Sequence, residues 1–559
     1  MKLKGAFVSL CMVTASAALA VPFDTTTVGG TATVGSTGDY ATLKAAANAF
    51  NALGAPFIQG SWKLEIQESL TEPDNVAFGN TIPEGSFLTV KPAAGKNVTV
   101  TFTKTTDNGG VSGNFIIGDN NLDDWTLFPM ERFAIDGSNN GTTSRNLTLT
   151  NSIDIAFSTN TPLAIVGACD GITVKNTTLD NGSTSTLGAV GGMHLVGRVN
   201  SGVAYSPKNI TIQNCDIRST QTQGHGLLFR LSGTAPANME ASSGIKIIGN
   251  TIQGRLRGIF MDNGLQADIT SNTITAGAVG AAVTGFLQPG IMVNNVRPTT
   301  GQVLNITGNT IFIKSANTFA GDYGPVAVNV ASGGAATSGN VVNFVNNMVN
   351  FQFTNSATAA TASNYCAFRG SSAITYNLLN NSINMPNFEK QTGLTPQRAA
   401  AFKLPETVSY TANIQNNIIR VDQAGAAAIT VSGSGTPTIT SNYNVIYRDK
   451  SNAYTAASGT VASPVNHLTL SDWQTAKSQD ANSQVVDPTA TTGSKWQPAA
   501  GNADLHFVPQ NVKPVEIALV PRLATVPADI DGTPRDEQTV PGADEVLEHP
   551  ASVNDWSVY

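Results

Sequence analysis

Apolar and polar residues alternate in short stretches along the chain, as in NITIQ (Asn209–Gln213). A period of two belongs to strands, not helices. Many of these stretches run into one recurring phrase: apolar, any, small or Asn, Asn or small, any, apolar. IIGNTI (Ile247–Ile252) is one copy. Others are VKNTTL (Val174–Leu179), IQNCDI (Ile212–Ile217), ITSNTI (Ile269–Ile274), ITGNTI (Ile306–Ile311), FVNNMV (Phe344–Val349), LLNNSI (Leu378–Ile383) and IQNNII (Ile414–Ile419), with a weaker ITSNYN (Ile439–Asn444). Successive starts are 38, 35, 22, 37, 38, 34, 36 and 25 residues apart. The shortest steps fit one coil of a parallel β-helix. The longer ones fit a coil plus a loop of about a dozen residues, since repeats place their insertions in loops. No coil can bury its apolar side chains alone, whereas coils stacked at about 4.8 Å bury them and close the backbone ladders.

The amide-bearing corners carry their own physical reason. A chain that bends sharply between two strands often passes through the left-handed region, which Asn and Gly tolerate best. Stacked side-chain amides also bond from coil to coil. Asn176, Asn214, Asn250, Asn272, Asn309, Asn347, Asn381 and Asn417 are therefore expected to be structural. A stack also needs closed ends. In DYATLKAAANAFNALG (Asp39–Gly54), Tyr40, Leu43, Ala47 and Phe50 fall at helical spacing and predict a capping helix stopped at Gly54. Strands are expected at WKLEI (Trp62–Ile66), FLTV (Phe87–Val90) and VTVTF (Val98–Phe102). After Arg448 prolines become frequent and the Asn corners fade, which predicts an irregular closing segment. The expected fold class is all-β: a right-handed, single-stranded parallel β-helix with an amino-terminal capping helix. The expected divisions are a leader over 1–20, a cap and first strands over 21–130, repeats over 131–448 and the closing segment over 449–559.

Composition narrows the function. Only 12% of the 559 residues are charged, and the net charge is −7. Without a basic excess to neutralise phosphates, nucleic acid is excluded as an expected partner. Lys2 and Lys4, the apolar run GAFVSLCMVTASAA (Gly5–Ala18) and the small-x-small site Ala18-Leu19-Ala20 read as a cleaved secretory signal. No later run is apolar enough to span a bilayer, so a secreted, extracellular or cell-surface location is expected. Cys169, Cys215 and Cys366 would remain. They read as buried small hydrophobes, with a Cys169–Cys215 bridge as the alternative. No Cys/His spacing matches a zinc site. The N-x-T sequons at Asn97, Asn146, Asn176, Asn209 and Asn305 follow from the same composition.

Several segments resemble secreted right-handed parallel β-helix proteins of the pectin-lyase-like superfamily. The opening stretch from Asp39, LTVKPAAG (Leu88–Gly95) and IDGSNNGTTSRNLTLTN (Ile135–Asn151) resemble the entry region of large bacterial surface β-helix proteins. LSDWQTAKSQDANSQVVDP (Leu470–Pro488) and DIDGTPRDEQTVPGADEV (Asp529–Val546) resemble the tail that ends many such chains, including those termed choice-of-anchor. The resemblance implies architecture more than activity, because the superfamily includes lyases, hydrolases, esterases and non-catalytic surface proteins. In the anchored relatives an anchoring segment follows the closing motif; LEHPASVNDWSVY after Val546 has no apolar span and no basic stop.

Candidate chemistry gathers between Gly191 and Gly264. A polysaccharide lyase neutralises a uronate carboxylate with Arg or Ca²⁺ and removes the adjacent proton. Arg230, Arg255, Arg257 and His225 are the catalytic candidates for such a reaction, since guanidinium grips carboxylate in a fork. Asp262 is the candidate metal ligand, for Ca²⁺. Arg255 and Arg257, two apart, are expected to share one face of a strand. GHG (Gly224–Gly226) copies one short motif of polygalacturonase-like hydrolases, yet the paired carboxylates that such chemistry needs are not beside it. His194, Arg198, Phe229 and Phe260 are the candidates for substrate binding. Tyr205, Tyr323 and Phe368 are further aromatics suited to stacking on sugar rings. The expected function is non-catalytic engagement of polysaccharide at a surface or in a matrix; the alternative is a lyase acting on a uronic-acid-containing glycan.

Overall fold

The computed structural model describes residues 22–546 except 55–56, 105–112, 119–129, 152–160, 183–190, 201–202, 221–223, 233–241, 263–265, 278–287, 296–299, 316–323, 333–338, 354–363, 388–393, 432–434, 450–452, 461–462 and 500. The expected leader thus lies outside the described residues.

Three long sheets form the body. The first has 13 strands, from Val28–Val34 to Thr438–Asn442, and the second has 12, from Leu70–Glu72 to Val445–Arg448. The third has 14, from Val76–Phe78 to Pro464–His467. Each coil adds one strand to each sheet. Ile245–Ile248, Thr251–Gly254 and Arg257–Met261 make one coil, and Ala267–Thr270 begins the next by pairing parallel with Ile245–Ile248. The chain is a right-handed parallel β-helix, as its corner period implied. Among the described residues, antiparallel pairing in these sheets is confined to Val203–Tyr205 and Pro464–His467.

Inward side chains make a dry column. Ile247, Ile252 and Ile259 of one coil lie in register with Ile269, Ile274 and Ile291 of the next, all at most 1% exposed. Each such burial stabilises by about 1.5–3 kcal/mol, and only the stack supplies it. Where the third sheet begins, the inward corner has room for almost nothing. A Cβ on Gly226, Gly258 or Gly290 would lie 2.5, 2.4 or 2.6 Å from Cγ2 of Ile252, Ile274 or Ile311. Ala327, Ala367, Ala401 and Ala428 continue this column of small residues. Gly226 thus has a packing reason, which accounts for the GHG match without hydrolase chemistry. Gly258→Val is expected to cost about 1–3 kcal/mol by overpacking, read as a lower midpoint of chemical unfolding.

The corners form an amide ladder. Nδ2 of Asn250, Asn272, Asn309, Asn347, Asn381 and Asn417 each donates to Oδ1 of the next member, at 3.0–3.1 Å, ending on Asn444. The left-handed residue is the one before the ladder amide: Gly249, Ser271, Gly308, Asn346, Asn380, Asn416 and Tyr443 have positive φ. Asn176 and Asn214 depart from the expected alignment. They are themselves left-handed, at φ 55° and 50°, one position ahead of the ladder. Cys215 follows Asn214 there, and its N–H donates to Oδ1 of Asn250 at 2.8 Å. The last repeat is likewise shifted: Asn444, not Asn442, is the ladder member, 27 residues after Asn417.

Both ends are closed. The helix Leu43–Asn51 is capped by Thr42, whose hydroxyl accepts from the Ala45 N–H, and buries Leu43, Ala46, Ala47 and Phe50. It ends at Ala52, just before Gly54. At the far end the parallel stack continues past Arg448 through Tyr454–Gly459. The helix Leu470–Lys477 then drives Trp473 into the main core. Trp473 Nε1 donates to Asp480 Oδ2 at 2.8 Å, while Asp480 Oδ1 accepts from Asn444 Nδ2 at 2.8 Å, so one carboxylate ends the ladder and fixes the plug.

From Gln484 onward the chain folds back over the coils. Trp496, Leu505, Phe507, Ile517 and Val540 pack on Met348, Ile418 and Val445 of the second sheet. The left-handed asparagines hold this segment. Asn346 and Asn416 donate to the carbonyls of Ala528 and Pro521 at 2.7 and 2.9 Å. Arg535, 2% exposed, donates to Asn346 Oδ1 and the Gly542 carbonyl, and pairs with the buried Glu545. Arg535→Met strands Glu545 without its cation and is expected to cost about 3–5 kcal/mol, read as earlier melting of the closing segment. Cys169, Cys215 and Cys366 are all free and buried, so the Cys169–Cys215 bridge is absent. Burial pushes the Cys215 thiol up to about 12. Among the described residues no helix is long and apolar enough to cross a membrane.

Candidate functional site on the outward face of the third sheet

The third sheet brings four of the sequence candidates together. Gly191, His225 and Arg257 align on three successive strands, and beside them Ala164, His194, Leu228, Phe260 and Met292 align on five. The Arg257 guanidinium lies over the Phe260 ring, 4.5 Å from Cζ to centroid, and the His225 ring lies 5.5 Å from it. His194 and His225 are buried, at 4% and 1% exposure, while Arg257, Phe260 and Asp262 are half-buried. Arg230 is exposed, next to Val196 in register.

The electrostatics follow from this packing. Burial holds the His225 pKa well below the usual 6.5, and Arg257, His194 and Arg230 push it the same way. Burial brings Arg257 down to about 10, against the pull of Asp262. Among the described residues, Nδ1 of His225 and Nε of Arg257 have no hydrogen-bond partner. The folded site resists protonation of His225, so its stability is present above the unfolded value of 6.5 and is lost as pH falls from there towards the depressed folded value. Thermal midpoints measured through that range should fall, and fall less in His225→Asn.

Other candidates land elsewhere. Phe229 points inward and is 3% exposed in the main core, so alternation along its strand removes it from any outward site. Phe368 is also in the core. Arg255 does not share a strand face with Arg257. It lies in the bend between Thr251–Gly254 and Arg257–Met261, where its backbone N–H donates to the Ser219 carbonyl at 3.1 Å. Arg198 pairs through its backbone with Tyr205, and its side chain lies outside the described residues, as does Tyr323. Asp262 stands near Arg257, but among the described residues it belongs to no group of metal-ligating side chains, which leaves the Ca²⁺ expectation without a ligand set there.

Three polar residues join the column that the sequence did not single out. The column of His194, Leu228, Phe260 and Met292 continues through Asn329, Arg369 and Lys403. Arg369 is half-buried. Lys403 is 7% exposed and donates to Asn364 Oδ1 at 3.1 Å, with Glu406 at 3.4 Å. Six strand steps separate the His194 strand from the Lys403 strand, about 29 Å at roughly 4.8 Å each. Arg257 and Arg369, both half-buried, therefore form a cationic stripe parallel to the axis, with Met292 and Asn329 on the strands between them and the exposed Arg230 beside it; Lys403, one strand further on, is buried and neutralised by Glu406.

No family model matches the chain, and no curated protein matches it. Three solved structures are similar to it at low identity. The Streptococcus pneumoniae surface protein and adhesin PfbA is 11% identical, with a TM-score of 0.37, over 74% of this chain and 95% of that one. An iota-carrageenase complexed to iota-carrageenan fragments is 8% identical, with a TM-score of 0.29, over 77% and 91%. The periplasmic alginate epimerase AlgG is 12% identical, with a TM-score of 0.28, over 68% and 76%. The parallel β-helix of the present chain rests on its own strand registers.

Proposed function

We propose that this is a secreted protein that binds an acidic polysaccharide along the outward face of its third sheet, without cleaving it. The observation that carries the reading is the stripe of Arg257 and Arg369, with the exposed Arg230 beside it, on a chain whose net charge is −7. Local cations on an otherwise acidic molecule favour an anionic ligand at that face. The half-buried Phe260, with the Arg257 guanidinium 4.5 Å from its centroid, offers a ring on which a sugar can stack. A face of about 29 Å, at roughly 4.8 Å per strand, fits a chain of several sugar residues. The leader-like start over residues 1–20 supports a location outside the cytoplasm.

A uronate lyase is the second reading, favoured by one observation: burial lowers Arg257 to about 10, moving it towards use as a base. That guanidinium still holds its proton at neutral pH, and a general base works best with a pKa near the operating pH, so the binding reading stands first. The test is incubation with polygalacturonate or alginate, with and without calcium, followed by ultraviolet absorbance of unsaturated uronate ends and by chain length. Binding with unchanged length and no new absorbance supports the first reading. Absorbance that rises with the wild type and is lost in Arg257→Ala replaces it with the second.

A further inference from the structure

The folded-back closing segment carries a second group of chemistry-bearing side chains, separate from the third sheet. His506, Asp531 and Asp544 come from three different stretches of that segment, and their ligand atoms all lie within 4.8 Å of one another. Each is fixed from behind. His506 precedes the strand Phe507–Val508. Asp531 sits in the turn closed by the Gly532 N–H on the Asp529 carbonyl at 3.2 Å. Asp544 is 1% exposed, and its Oδ2 accepts from the Phe507 N–H at 2.7 Å.

The imidazole stands between carboxylates on both of its nitrogens. Nδ1 of His506 is 2.6 Å from Asp504 Oδ1, so a neutral imidazole that donates to that carboxylate keeps Nε2 as its metal-binding nitrogen. Nε2 then presents its lone pair to the other side. It is buried and has no hydrogen-bond partner among the described residues, although Asp531 Oδ2 is only 3.0 Å away, off any N–H line. The side that Nε2 faces is lined by the carboxylates of Asp531 and Asp544. The surrounding charge points the same way. Asp504, Asp531 and Asp544 share one imidazole, and the nearest buried cation, Arg535, is engaged with Glu545 and backbone carbonyls.

We propose that His506 Nε2, Asp531 and Asp544 bind a divalent transition-metal ion of the zinc class, which clamps the closing segment onto the coils. One imidazole nitrogen and two carboxylates are borderline donors that suit zinc better than calcium, which takes oxygen ligands. Metal–ligand distances of about 2.1 Å place tetrahedral donors about 3.4 Å apart, so a small inward rotation of these side chains closes the set, with water completing it. Asp504 acts as the outer carboxylate that orients a ligating histidine. The clamp joins two attachment points. Leu505, next to His506, packs on Met348, while Gly542 and Ala543, next to Asp544, donate to the Asn416 carbonyl and Ser382 Oγ at 2.7 and 2.9 Å.

The test uses the full chain, stripped with a chelator and titrated calorimetrically with zinc, manganese and calcium chlorides, with thermal melting in parallel. Zinc is expected to bind at one ion per chain and to raise the melting midpoint by several degrees, with calcium at least tenfold weaker. His506→Gln and Asp531→Asn should each weaken zinc at least tenfold. Asp531 is exposed, so its variant folds even if the buried positions are intolerant. Asp504→Asn should weaken zinc while leaving the stoichiometry unchanged. The proposal is overturned if the stripped wild type takes up no zinc, if calcium binds as tightly as zinc, or if Asp531→Asn binds zinc like the wild type.

Discussion

Asn347→Ala will destabilise the coils far more than Asn343→Ala, although the two residues are four apart in one repeat. The Asn347 amide is fully buried. It donates to the carbonyls of Ile306 and Val345 at 2.8 and 3.1 Å and to Asn381 Oδ1 at 3.1 Å, and it accepts from both the backbone and side-chain N–H of Asn309 at 3.0 Å. Alanine removes every one of these bonds and leaves their partners buried and unmatched. Each orphaned group costs about 1–3 kcal/mol before relaxation, so a loss of about 4 kcal/mol is expected after neighbours adjust. Asn343 lies in a second ladder on the half-buried outer face of the first sheet, bonded to Asn305 and Asn377 at 2.7 Å. Water replaces those partners, and the expected loss is under about 1 kcal/mol. Chemical unfolding of the two variants decides the matter. Equal losses would show that the buried ladder does not hold the corners.

Arg257→Ala will weaken binding of an acidic oligosaccharide about tenfold, or about 1.4 kcal/mol, with little change in the melting midpoint. The guanidinium contributes a charge and stiffens the Phe260 ring beneath it, so one substitution removes both. Arg257→Lys keeps the charge but not the planar fork, and should recover only part of the affinity. Phe229→Ala is the informative contrast. Its ring is interior, so truncation should cost about 3–5 kcal/mol of stability without a specific loss of affinity once the protein is folded. Isothermal titration alongside thermal melting separates the two effects.

The fold was readable in the sequence because its corners repeat the same chemistry. An apolar pair five apart with an amide between them fixes strand, bend and strand in one phrase, and the 22-residue step sets the size of a coil. The phrase does not separate the left-handed residue from the ladder amide, since Asn serves at both. Asn176 and Asn214 are thus corner amides bonded coil to coil at 2.8 Å but sit at the left-handed position, and Asn444 joins the ladder from the end of its phrase. The outward site was readable only in part. His194, His225, Arg257 and Phe260 are near enough in sequence to suggest one another. Strand parity is not legible at the start of His225–Ser232, where Gly226 and Leu227 both turn inward, and this is what carries Phe229 into the core. Arg369 reaches the stripe only through coiling, with strands of other sheets between it and Arg257. His506, Asp531 and Asp544 converge because an irregular segment folds back on itself, and no local period records that.

The most direct test of the polysaccharide reading is the affinity of a length series of uronate oligosaccharides for the wild type and for the Arg257→Ala/Arg369→Ala pair. A stripe running along the axis predicts affinity that rises with each added sugar until the chain spans the face, then levels off. It also predicts weakening with added salt and a flattened rise in the double variant. Affinity that ignores chain length, or a double variant that binds like the wild type, would place the ligand elsewhere or remove it altogether.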